Sequence, residues 1–557
     1  MDMFATNFTA LDWAIVAAYV VAVGALGVFV NRYIHNISDY VVAGRSAGGA
    51  LNVATFIATG LGLVTIMYSA IDGFHRGFAY MVLGIIGMAV GLFIGSTGFV
   101  VRRLRAARLT TLPEYFQLRY SRGVRVAAWG ICALAGILNM GLFPKMGATF
   151  ITYATGLGSP GVQRIVVQAD APEGPAAAKA RDPAEGARIA QEHMARQRAA
   201  LARQELTVNL VMSVILAIVL VYTVTGGMVA VVLTDYVQFI LLSFGLGAGL
   251  YLCLTRPELG WDKMVGAWAK HRGEAAFNPV HPDSYSWVWV VWMLVHFAAA
   301  ALCWAPEASR TLTAKDPETA RRTFLFGAPG QFIRLAVPAL FGIAAFCFIA
   351  NDRALAGHFF PNGLRERGVN ADQAVPLMLG KIVPAGLLGI LLAGMVSALM
   401  STHDSYFLCW ASVITRDILG PLRRRELTDR QQIRITRIAV VLMGVFLLVW
   451  GVWYKLPESV WNYMAVTGSV YLCGAIVILV GGMYWRRASS AGALAALLGG
   501  LASVPIVFLP DWFTGSTVLM GQYGLANYAL CALLFIVFSW LFPDKRPPAA
   551  APEAQRP

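Results

Sequence analysis

The chain has 557 residues, of which 58% are hydrophobic and only 13% charged, with a mean hydropathy of +0.63. A soluble domain is about 45–50% apolar and about 25% charged, so too few polar residues remain here to cover a water-soluble protein, a disordered chain or a collagen. The net charge of +14 would suggest nucleic acid in a soluble chain, but in a polytopic membrane protein its placement has to be read first.

About 30 Å of hydrocarbon needs roughly 20 apolar residues in helix. Thirteen stretches qualify, near 13–31, 48–71, 77–101, 126–156, 206–224, 228–254, 286–305, 326–350, 382–414, 436–454, 459–484, 489–509 and 525–542. Helix is required because backbone groups in lipid must be satisfied within the segment. The first stretch lacks a basic flank and is too long for a signal peptide, so it reads as a retained span. All seven cysteines lie in apolar runs without a CxxC pair and read as small core residues.

With the N-terminus outside, the inner loops collect 25 Lys and Arg and the short outer loops 10. That bias is the positive-inside rule, so the charge records topology, with the C-terminus cytoplasmic and no nucleic-acid partner. The outer segment 157–205 holds seven basic and six acidic residues, and its part from Pro183 to Glu205 favours helix. It reads as a solvated insertion or a partner-binding cap. The Pro/Ala tail from Pro547 reads as disordered.

Polar groups inside spans are costly and mark function by default. In the span 48–71, Gly60 and Gly62 lie between Thr59 and Thr65. Two such glycines weaken a helix, and a broken helix exposes carbonyl oxygens that suit a hard cation such as Na⁺; the alternative is small-residue packing. Lys145 is the only lysine deep in an apolar run. It could meet a substrate carboxylate or an internal acid such as Asp72, or snorkel to the interface. Further on, Gly226-Gly227 reads as a tight turn between two spans, and Asp235 enters the membrane after it. An uncompensated carboxylate there costs about 2.5–3.5 kcal/mol, so a cation or donor must meet it. The span 382–414 carries Ser397, Ser401, Thr402, His403, Asp404 and Ser405, either an oxygen-rich ion site or hydroxyls bonded back to their own helix. GxxxxGK[ST], HExxH and paired CxxC patterns are absent from the sequence, and no nucleophile–base pair lies in register, so neither an ATP-driven motor nor an enzyme is expected.

With these stretches in view, the sequence resembles the sodium:solute symporter family from about residue 10 to 540, apart from 157–205. The resemblance rests on Asp39-Tyr40-Val41-Val42-Ala43-Gly44-Arg45 and Thr111-Leu112-Pro113-Glu114-Tyr115. It rests also on Gly226-Gly227 with Thr234-Asp235-Tyr236-Val237-Gln238, and on Ala398-Leu399-Met400-Ser401-Thr402-His403-Asp404-Ser405 followed by Thr415-Arg416-Asp417. It implies an all-α polytopic protein of about 13 transmembrane helices. Their core would be the leucine-transporter-like five-plus-five inverted repeat, with one extra helix before it and two after. The implied divisions are an N-terminal helix and inner loop (1–47), a first repeat (48–254, holding 157–205), a second repeat (286–484), C-terminal helices (485–542) and a tail (543–557).

The resemblance further implies a sodium ion between core helices one and eight. Its ligands would be the carbonyls of Leu63, Ile66 and Ala398 and the hydroxyls of Ser401 and Thr402, with Asp235 and Ser405 on a second sodium site or release path. The sugar branch typically carries Glu on core helix two and Asn, Tyr and Trp on core helix six, where this chain reads Ile85–Ala89 and Phe297–Ala301. Ala305-Pro306 with Arg310 is closer to the proline and monocarboxylate branches, and with Lys145 it points to a small carboxylate-bearing solute. Thr65, Tyr68, Lys145, His296, Asn462 and Thr467 are the expected pocket residues. The expected protein is a sodium-coupled symporter in the bacterial inner (plasma) membrane, with sodium and the solute as its ligands and no organic cofactor or other metal. Its rivals are a proton-coupled transporter using Asp235, His403 or Asp404, and a transporter-like sensor; the oligomeric state is left open.

Overall fold

The computed structural model describes residues 5–30, 60–107, 109, 112–157, 183–419, 427–455 and 459–544. The 39–45 motif, Thr59, Thr111 and the tail from Pro547 lie outside the described residues, as do the side chains of Asp235, Arg310, Arg416 and Asp417. Among the described residues every regular element is a helix. Nine are long and apolar enough to cross a membrane, and Ala10–Ala25, Ile240–Thr255 and Trp287–Cys303 are shorter apolar helices.

In chain order, α1 is Ala10–Val30. The helices α2 (Leu63–Arg76) and α3 (Met81–Thr97) are joined by the 3₁₀ turn Gly77–Tyr80. Then come α4 (Leu112–Arg119), α5 (Arg122–Met140), α6 (Phe143–Thr155) and α7 (Pro183–Thr255). A second set comprises α8 (Trp287–Cys303), α9 (Ala305–Thr313), α10 (Pro317–Ala350), α11 (Ala371–Ile382) and α12 (Leu387–Ser412). The chain closes with α13 (Asp429–Trp453), α14 (Val460–Tyr484), α15 (Ser490–Gly500) and α16 (Thr517–Leu541).

Helix α7 takes in the stretch from Pro183 to Glu205, whose composition favours helix. It corrects one expectation: no coil interrupts it at Gly226-Gly227, where the sequence suggests a tight turn. A glycine costs only about 1 kcal/mol relative to alanine in a helix, less than surrendering backbone hydrogen bonds in lipid. The two ends of α7 meet different helices of the bundle. Met212 reaches Gly451 near the end of α13 and Leu220 reaches Gly444 further along it, whereas Gly245 meets Leu391 near the start of α12.

Small residues let helices approach closely in the bundle. A Cβ on Gly73 would stand 2.4 Å from the Ala339 carbonyl oxygen, and one on Gly342 would stand 2.0 Å from that of Ala70. Helices α2 and α10 are therefore in backbone contact where Ala70–Phe74 crosses Ala339–Gly342.

Two charged side chains tie helix ends together. Asp12, fully buried in the first turn of α1, accepts from the Thr9 N–H and hydroxyl, both at 2.8 Å. It also accepts from the N–H groups of Gly386 (2.7 Å) and Gly389 (2.6 Å) at the start of α12. A carboxylate is favoured there by the helix dipole and by donors that lack an intrahelical partner. Arg119, at the end of α4, donates to the carbonyls of Gly482 (2.7 Å), Trp485 (3.0 Å) and Ala488 (3.3 Å), so it caps the C-terminal end of α14.

Candidate functional site

Helix α2 starts at Leu63, and Gly62 before it is extended (φ −89°, ψ 166°). The Thr65 hydroxyl turns back to donate to the Gly60 carbonyl at 2.9 Å, and the Ile66 N–H donates to the Gly62 carbonyl at 3.1 Å. Core helix one is therefore non-helical over Gly60–Gly62. On the facing helix, the Thr402 hydroxyl donates to the Ala398 carbonyl at 2.8 Å. A Cβ on Gly62 would stand 2.2 Å from Thr402 Oγ1, so the extended segment rests directly on that hydroxyl. Leu63, Ile66 and Ala398 are buried around this contact, while Ser401, Thr402 and Ser405 are half-buried on α12. A hard cation takes oxygen ligands of this kind, hydroxyls and carbonyls without a carboxylate cage. His403 and Asp404 are buried; the His403 Nδ1–H donates to the Leu399 carbonyl at 2.7 Å, and its ring stands 5.9 Å from that of Phe143.

The expected pocket residues separate into two groups. Thr65 and Tyr68 lie on α2 beside the extended segment, with Tyr68 edge-on to Trp461 at 4.8 Å. Trp461 in turn stacks on Phe297 at 5.8 Å. His296 and Asn462, each one residue along from these rings, turn elsewhere. His296 meets Ser469 (3.5 Å) and the Tyr528 hydroxyl (3.3 Å). Asn462 accepts from the Trp289 indole at 3.1 Å and donates to the Thr514 carbonyl at 2.6 Å. Thr467 accepts from Asn139 at 2.9 Å. These three side chains cross-link helices and are not brought to Tyr68. Nor does Lys145 pair with Asp72: its ammonium donates to the Tyr454 carbonyl at 3.3 Å, while the Tyr285 hydroxyl donates to Asp72 at 3.4 Å.

Lys145 instead has Asp372 of α11 as an acidic neighbour. Burial pushes the Asp372 carboxyl up to about 6, and the Lys145 charge only partly opposes this. A value raised above the unfolded one favours the protonated form in the fold. The stability it carries is therefore present at low pH and lost as pH rises through 6. Asp372→Asn is expected to be a few degrees more heat-stable than the parent at pH 7.5, with most of the gap closed at pH 4.5, as read from thermal unfolding at both pH values.

Three features were missed in the sequence. Core helix six is broken at Trp304, whose extended backbone (φ −66°, ψ 128°) separates α8 from α9. Its indole donates to the Tyr406 hydroxyl on α12 at 3.2 Å, and Pro306 just after the break was the available signal. Glu307 lies near Tyr68 and Tyr406. Arg334, within the apolar run of α10, lies near Tyr68 and against Gly60.

Residues 196–500 match the profile described as Sodium:solute symporter family. The chain is 26% identical over 318 residues to the sodium/glucose cotransporter of Vibrio parahaemolyticus, covering 54% of this chain and 57% of that protein. It is 25% identical over 289 residues to the sodium/pantothenate symporter of Haemophilus influenzae, covering 51% and 55%. The chain thus spans about half the length of these curated relatives. The solved structure of a Na⁺-coupled sialic acid symporter, substrate-bound and outward-open, is similar with a TM-score of 0.70 at 17% identity, covering 98% of this chain and 100% of that one. That likeness is one of fold, and it agrees with the all-helical, multi-pass architecture expected from the sequence.

Proposed function

The chain belongs to the sodium:solute symporter family, and from that premise we propose that it is a sodium-coupled secondary active symporter of a small carboxylate-bearing solute. One observation carries the reading: the extended Gly60–Gly62 segment of core helix one rests on the Thr402 hydroxyl of core helix eight. Sodium binds there, with the Leu63, Ile66 and Ala398 carbonyls and the Ser401 and Thr402 hydroxyls as its ligands. Asp235 and Ser405 serve a second sodium site or the release path. The protein lies in the bacterial inner membrane with its N-terminus outside, an orientation supported by the Lys/Arg bias of its loops. Bound sodium holds helices one and eight together and so favours the solute-binding arrangement; each ligand raises the other's affinity by the same factor. Inward sodium movement supplies about 2.3 kcal/mol per charge per 100 mV, before the concentration gradient is added.

The test is uptake by proteoliposomes of the purified protein. An inward sodium gradient is expected to drive accumulation of a small carboxylate, and a proton gradient of equal size without sodium is expected not to. Accumulation under the proton gradient alone would replace the sodium reading with the proton-coupled one.

A further inference from the structure

Arg334 stands near the middle of the 34-residue α10, where a guanidinium costs about 2.5–3.5 kcal/mol on insertion scales. A residue kept there at that cost needs a partner, and snorkelling does not supply one. A Cβ on Gly60 would lie 1.7 Å from Arg334 Nη1 and 2.8 Å from its Cζ, so the guanidinium lies on the bare backbone of the broken part of core helix one. Its Nε is buried without a hydrogen-bond partner, and among the described residues it forms no ion pair. One turn earlier on α10, Gln331 is buried, 3.5 Å from where a Gly87 Cβ would be. Phe297, the platform for Trp461, lies 3.2 Å from the same point. Tyr68 is the polar ring nearest the Arg334 charge on α2, and Trp461 closes over it. A planar fork of N–H donors with a free edge, beside an extended backbone and among aromatic rings, is the arrangement that binds a carboxylate in two-point fashion.

We propose that Arg334 anchors the carboxylate of the transported solute at the Gly60 break, with Tyr68, Phe297 and Trp461 enclosing its apolar part. The proposal rests on the symport reading above and replaces Lys145, which is spent on the Tyr454 carbonyl, as the cation that meets the substrate. It also commits the solute to an organic anion of modest size. The bound carboxylate neutralises a charge that the membrane interior otherwise penalises. Solute and sodium thus enter one region as opposite charges, and their affinities become coupled.

The test is thermal unfolding and uptake with the purified full chain and its Arg334→Gln and Arg334→Lys variants. Acetate, pyruvate, proline and sialic acid serve as probes, each beside its uncharged amide or methyl ester. Size-exclusion elution and helical circular dichroism report whether the variants fold. The parent is expected to be stabilised by at least one carboxylate and by none of the amides or esters. That carboxylate is expected to lower the sodium concentration needed for half-maximal stabilisation. Arg334→Gln is expected to weaken its binding about 100-fold or more and to abolish the effect on sodium affinity; Arg334→Lys, which keeps the charge but not the fork, is expected to recover part of both. Parental carboxylate affinity in folded Arg334→Gln, or a parent that binds the amide as well as the acid, overturns the proposal. Failure of the symport reading gives a different result: a carboxylate that stabilises the parent through Arg334 but is indifferent to sodium.

Discussion

Thr402→Ala is expected to raise the sodium concentration for half-maximal uptake at least tenfold, and Ser401→Ala combined with it to remove sodium stimulation altogether, while membrane insertion is unchanged. In the structure the Thr402 hydroxyl uses its one proton on the Ala398 carbonyl, which leaves its oxygen to accept only, close beside the Gly62 backbone. Removing the oxygen deletes the proposed cation ligand without disturbing helix α12, since alanine is the better helix former. Gly62→Ala approaches the same contact from the other side, because its methyl would stand 2.2 Å from Thr402 Oγ1 and force the hydroxyl aside or the two helices apart. Thr402→Ser restores the oxygen and is expected to restore sodium dependence, whereas pairing Gly62→Ala with Thr402→Ala relieves the clash without restoring it. Sodium titration of uptake reads all five variants. A double alanine variant with parental sodium dependence would remove this site from the mechanism.

The second large effect is on stability. Arg119→Ala leaves the carbonyls of Gly482, Trp485 and Ala488 without their shared donor and removes a positive charge from the negative end of α14. Orphaned buried acceptors cost about 1–3 kcal/mol each, less where water can reach them, so a loss of roughly 3 kcal/mol or more is expected. In detergent this reads as a melting temperature lower by about 3 °C or more. Arg119→Lys, with a single ammonium where the guanidinium spans three acceptors, is expected to recover less than half of it. A midpoint for Arg119→Ala within 2 °C of the parent (about the scatter of the measurement) would show that α14 does not depend on this cap.

The helical class, most spans and the irregular backbone at Gly60–Gly62 were legible because each follows from one constraint, the cost of polar backbone in lipid. Which side chains share a helix face was not, because a helix turns about 100° per residue and hydropathy cannot say which of two neighbours meets a given partner. His296 and Asn462 attracted notice as polar residues, yet it is their neighbours that pack at Tyr68, Trp461 meeting its ring and Phe297 stacking on Trp461, while they cross-link helices. Arg334 was within reach. Of the 44 basic residues, the loops and the 157–205 segment account for all but Lys145 and Arg334, so the charge count that gave the orientation already contained it. Lys145 drew attention first, but burial against Tyr454 was not visible in a linear sequence. The unbroken helix through Gly226-Gly227 shows the same limit, since two glycines mark a weak point without requiring a break there.

The Asp12 carboxylate has a mechanical consequence. It gathers the first turn of α1 and the first N–H groups of α12 onto one side chain, and Gly389 leaves so little room that a Cβ there would stand 2.7 Å from the Asp12 backbone. The two helices thus share a pivot at one end. Further along, α1 turns Val21 (69% exposed) and Phe29 (51% exposed) away from the bundle. In the proposed transport cycle a tilt of α12 therefore carries the pinned end of α1 with it, and the exposed side chains of α1 move against the lipid.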